Sequence, residues 1–146
     1  MHDRVWLGEQ YWANPMEDWR VAGGRTECLR GGPNRNVALL THALTGRPAG
    51  FEMSVRLGKL GPGEGSAGFR IGIKDETDDY RAAALRGRGL SAGMTTAGQT
   101  FIGAPPDIKV KRPPLPKEVT LTLTGQTDRT EGPADARSVR RTDAIT

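Results

Sequence analysis

The 146-residue chain has one cysteine, two histidines and few aromatic residues, with Phe, Tyr and Trp together making 5%. The lone Cys28 excludes an internal disulfide framework and any multi-cysteine zinc site. His2 and His42 are far apart and have no second cysteine to join them, so no zinc ligand set is expected. No apolar run approaches the roughly 18 residues that a membrane-spanning helix needs, and no membrane span is expected. The opening MHDRVWLGEQYW has no apolar stretch of the kind a signal peptide carries. Excess charge is also small. The formal net charge of +4 is too little to point to a nucleic-acid partner, and none is expected.

Gly and Pro are abundant instead, at 20 and 10 residues, and they argue against long helices. Between them runs a period-two pattern, the mark of strands with one face in a core. Phe51, Met53, Val55 and Leu57 alternate with Glu52, Ser54 and Arg56. Phe69, Ile71 and Ile73 alternate with Arg70 and Gly72, and Val119, Leu121 and Leu123 alternate with threonines. Shorter strands are expected at 18–21, 26–29, 37–41, 80–85, 90–95 and 99–102. Turn residues separate them, among them Gly23-Gly24, the Gly61-Pro62-Gly63 run, the acidic 75–79 stretch and Ala97-Gly98. Short strands with this punctuation predict an all-β fold, a β-sandwich or a barrel, and the antiparallel β-sandwich is the expectation taken. Residues 104–117 are rich in Pro and Lys and read as an extended connector. From Gly125 onward there is one Val, one Ile, no Leu and no aromatic residue. The expected organisation is a β-sandwich domain over 1–124 and a disordered tail over 125–146.

Motifs for chemistry are thin. Gly63-x-Gly65-x-x-Gly68 and Gly87-x-Gly89-x-x-Ala92 match dinucleotide fingerprints, but both lead into strand-like sequence rather than the helix that would hold a pyrophosphate. Asp75, Asp78 and Asp79 could offer calcium oxygen ligands; no other cofactor is expected. A solvated hairpin tip is the preferred reading of that stretch. Glu76 and Asp78 could form the carboxylate pair of a sandwich glycosidase, but Tyr80 stands where a third alternating acid would be. Cys28 has no adjacent His or Lys and reads as a packed thiol rather than a nucleophile. Trp12 and Trp19 either close the end of a sandwich or stack on sugar rings beside Asn14, Glu17 and Asp18, with packing preferred. Arg56, Arg70 and Arg81 fall on outward positions of successive strands and would form a basic stripe if those strands were neighbours.

Certain residues carry a resemblance. They are Trp12-Ala13-Asn14-Pro15, Asp18-Trp19, Cys28, Asn34-Arg35-Asn36-Val37, Leu39-Leu40-Thr41-His42, Gly50-Phe51-Glu52-Met53-Ser54-Val55-Arg56, Ala67-Gly68-Phe69-Arg70-Ile71-Gly72, Asp79-Tyr80-Arg81 and Gly87-Arg88-Gly89-Leu90. Over residues 12–102 the chain resembles the concanavalin A-like, laminin G-like jelly-roll module that precedes the catalytic domain of bacterial alkaline phosphatase D-like proteins. It is also similar to sandwich domains related to 3-keto-disaccharide hydrolases. The resemblance implies a jelly roll and a non-catalytic ancillary module that binds carbohydrate or packs on a metallophosphatase-type catalytic domain. It carries over no catalytic residue, because the phosphatase ligands are absent. On this reading Trp12, Trp19, Arg56, Arg70, Tyr80 and Arg81 would bind the ligand. A structural module that packs on a partner or on itself is the alternative, and a sandwich glycoside hydrolase is the third reading. Such modules continue with more strands after the equivalent of residues 119–124, so the chain is expected to be an incomplete, C-terminally truncated copy. The family setting implies export, whereas the opening residues lack an export signal.

Overall fold

A computed structural model describes residues 6–42, 49–72, 89–108, 116–127 and 135–143. Strands make up most of the described chain: β1 (Tyr11–Asn14), β2 (Trp19–Ala22), β3 (Arg25–Cys28), β4 (Asn36–Leu39), β5 (Ala49–Gly58), β6 (Ser66–Ile71), β7 (Leu90–Thr95), β8 (Thr100–Ile102), β9 (Glu118–Thr127) and β10 (Asp135–Asp143). One 3-10 turn, Met16–Asp18, lies between β1 and β2. All pairings are antiparallel, so the fold is all-β as expected. The described residues divide into two compact units, 6–42 and the remainder.

The first unit contains two short ribbons. β1 pairs with β4, and β2 pairs with β3. Gly23 and Gly24 turn the β2–β3 hairpin with φ of +56° and +75°. A two-residue turn whose twist matches its strands requires this left-handed backbone at both positions. Leu7, Ala13 and Val21 are buried together, with Trp19 and Val37 packed against them.

The second unit is a small sandwich. One sheet has the order β10-β9-β5 and the other β6-β7-β8. Alternation decides which face each strand buries. Leu121 and Leu123 of β9 are fully buried, and Phe51, Met53, Val55 and Leu57 of β5 lie half-buried on the same side. Ile71, Ala92 and Met94 face them from the other sheet, with Phe69 and Leu90 at their margin. Full burial of a leucine of this kind stabilises the fold by about 1.5–3 kcal/mol. The outer face of the β10-β9-β5 sheet is polar. Ser54 and Thr122 hydroxyls meet at 3.0 Å, and Thr124 and Ser138 at 2.6 Å.

Two strands lie where the residue pattern predicts none. β1 is one of them. The other is β10, inside the stretch beyond Gly125 expected to be disordered; β9 also runs on to Thr127. The physical reason is that β10 brings little apolar surface. Val139 joins the core, while its backbone completes the ladder along β9 from Asp135 to Asp143. A bulge between Ala136 and Ser138 interrupts its alternation. The expected strand at 80–85 and the acidic stretch 75–79 lie outside the described residues, as does most of the 104–117 connector.

Candidate functional site

The two candidate tryptophans lie in one unit but on different sides of their strands. In β1, Ala13 points into the Leu7–Val21 cluster, so Trp12 and Asn14 point the other way. The β1–β4 register places Trp12 opposite Ala38 and Asn14 opposite Asn36. Directly opposed residues share a face, so Trp12, Asn14, Asn36 and Ala38 form one face of the ribbon, away from the core. Opposite the indole is a methyl group only. Asn36 is half-buried, and its amide Nδ2 is buried with no hydrogen-bond partner among the described residues. Buried amides are nearly always satisfied, and an orphaned one costs free energy. The face thus combines a half-buried indole with two amides, one of which has an unused donor.

Trp19 is different. It packs on the core cluster, and its indole N–H donates to the Asn14 carbonyl at 3.4 Å. Asp18, named as a sugar partner, is buried and already engaged. Arg35 Nε donates to Oδ2 at 3.1 Å, Arg30 approaches Oδ1 at 4.0 Å, and the Asp18 carbonyl accepts from the Leu29 amide at 2.7 Å. Glu27 in β3 is likewise only 5% exposed. Arg25 Nε bonds Oε1 at 2.8 Å, and Arg20 Nε bonds Oε2 at 2.8 Å. Hydrogen bonds from Arg25 and then Arg20 hold its carboxyl below the usual carboxylate range. Both carboxylates therefore act as internal anchors for arginines. Cys28 is half-buried, and its thiol donates to the Arg30 carbonyl at 3.3 Å.

Arg56 and Arg70 lie in the other unit and do not form a stripe. β5 pairs with β9, whereas β6 pairs with β7. Arg56 is exposed on the outer face of the β10-β9-β5 sheet, opposite Thr120. Arg70 is half-buried, opposite Ser91 in the other sheet. Their outward directions are on opposite sides of the sandwich. Tyr80, Arg81, Glu76 and the calcium candidates Asp75, Asp78 and Asp79 lie outside the described residues. Among the described residues, no three of His, Cys, Asp and Glu gather where they could hold a metal ion. No described helix is long and apolar enough to cross a membrane. The Gly63-x-Gly65-x-x-Gly68 run leads into β6 rather than a helix, and Gly65 is tied to Thr96. Its glycines thus have no helix N-terminus to complete a phosphate cradle.

The residue pattern singles out Trp12 and Asn14 as candidate ligand contacts but not Asn36. The signal lay in pairing, because Asn36 joins them only through the register of β4 on β1. Neither a family model, nor a curated protein, nor a solved structure matches the chain.

Proposed function

We propose that this chain is a non-catalytic carbohydrate-binding module of the jelly-roll, concanavalin A-like kind, working beside a hydrolase domain such as a metallophosphatase. The observation that carries the reading is the Trp12–Asn14–Asn36 face. An indole offers a flat apolar surface with a polar rim, suited to the C–H face of a sugar ring. The Asn36 amide supplies a donor that has no acceptor among the described residues, and a ring hydroxyl would satisfy it. Trp19 supports this face from behind by its bond to the Asn14 carbonyl. Arg56 and Arg70 play no part in this binding face.

Titration with neutral and acidic oligosaccharides, followed by tryptophan emission and calorimetry, tests the proposal. A saturable shift is expected, and Trp12→Ala or Asn36→Ala should weaken it about tenfold or more with the fold intact. A folded chain that stays silent across the panel overturns it.

One observation favours the second reading, a module that packs on a protein partner. Tyr11 and Leu39 oppose each other across β1–β4 and are 43% and 41% exposed, which leaves an apolar pair in solvent. Silence toward sugars together with co-purification of a catalytic domain would select it.

A further inference from the structure

Among the described residues, strand β5 is an edge. It pairs with β9 along its whole length, and among the described residues nothing pairs with its other side. A long edge presents a row of backbone donors and acceptors to any strand that can match it. β5 holds no proline, no lysine and no bulge: its register with β9 is unbroken from Ala49 to Gly58. Its inner-face side chains are also incompletely covered. Phe51, Met53, Val55 and Leu57 are half-buried, while Leu121 and Leu123 in the same layer are 0% exposed.

The order of residues along this edge matches itself. Gly50-Phe51-Glu52-Met53-Ser54-Val55-Arg56-Leu57-Gly58 can be laid antiparallel on a second copy with Ser54 opposite Ser54. Gly50 then faces Gly58, Phe51 faces Leu57, Glu52 faces Arg56, and Met53 faces Val55. Opposed residues share a face, so apolar meets apolar on the inner side and acid meets base on the outer side. Within one chain Glu52 and Arg56 are four residues apart on an extended strand, about 13 Å, too far to pair. Neither has an ion-pair partner among the described residues. The register is also specific. A shift by one residue sets polar faces against apolar ones, and a shift by two puts Glu52 or Arg56 opposite Ser54 and loses both ion pairs.

We infer that β5 pairs antiparallel with β5 of a second copy of this chain, about a two-fold axis at Ser54, joining two three-stranded sheets into one of six strands. The interface is isologous, so each Glu52–Arg56 contact occurs twice and the assembly closes as a dimer. It is independent of the carbohydrate reading, which rests on the β1–β4 ribbon.

Sedimentation equilibrium of the full chain, from micromolar to millimolar concentration, tests the dimer. A reversible monomer–dimer equilibrium is expected. Glu52→Arg and Arg56→Glu each set like charges opposite one another, and each should weaken the dimer about tenfold or more. Both side chains are exposed, so circular dichroism should remain that of the wild type. Mixing the two variants should restore association, because every arginine then meets a glutamate. If either variant fails to fold, Ser54→Lys serves instead by placing two ammonium groups at the axis, with the same weakening expected. A wild-type chain that stays monomeric throughout overturns the inference. So does a dimer that folded variants leave unchanged, or a mixture no tighter than its components.

Discussion

Single residues set two limits in this molecule. The first is steric. Gly68 and Gly93 oppose each other between β6 and β7, and a Cβ added at Gly68 would overlap the Ala92 carbonyl oxygen and the Gly93 Cα. Backbone on the neighbouring strand cannot swing aside as a flexible side chain would. Gly68→Ala is therefore expected to destabilise by about 2 kcal/mol or more, read as a fall in the urea midpoint. The second limit is electrostatic. Glu27 holds Arg20 and Arg25 with both carboxylate oxygens, and its folded-state carboxyl sits below the ordinary value near 4.5. A lowered folded pKa means that the ionised form stabilises the fold above the unfolded carboxyl's value. That contribution is lost as pH falls past 4.5 toward the folded value. Urea midpoints measured from pH 7 to pH 3 should fall on this limb. Glu27→Gln should lower the pH 7 midpoint and flatten the acid fall, and a variant with the wild-type slope would show that the arginine pairs contribute nothing.

Elements differ in how plainly their residues announce them. β5 and β9 follow their alternation, and β7 begins and ends at the expected residues, Leu90–Thr95. β2 and β3 follow from the Gly23-Gly24 turn, with boundaries moved by a residue where Asp18 enters the 3-10 turn. β1 and β10 were not legible. β1 is four residues long with aromatics on both faces, and β10 offers one apolar side chain to the core, Val139. Both form because a neighbouring strand offers a ladder, a property of the neighbour. Ending the chain after Thr127 uncovers one edge of β9 and removes Val139 from both apolar clusters of the sandwich. The truncated chain should lose more than about 5 °C in Tm, and amide exchange along β9 should accelerate. Unchanged exchange at Leu121 and Leu123 would show that β10 adds nothing.

Across the whole molecule, the candidate site was half legible. Trp12 and Asn14 stand out as an indole and an amide two residues apart, a spacing that puts both on one face of any strand. Asn36 could not be joined to them from sequence, because cross-strand register is a long-range property. The condition for a basic stripe, that the strands of Arg56 and Arg70 be neighbours, is unmet for the same reason. Outward positions follow from alternation within a strand, but Arg56 and Arg70 ended on different sheets because β5 chose β9 rather than β6. Sequence by itself determined the strand-rich class, the Gly23-Gly24 turn and the inner faces of β5 and β9, since period-two burial and glycine backbone freedom act over neighbouring residues. Only the tertiary structure decided which strands pair, that residues 135–143 join a sheet, and which tryptophan packs inward, because those outcomes depend on contacts between residues far apart in the chain.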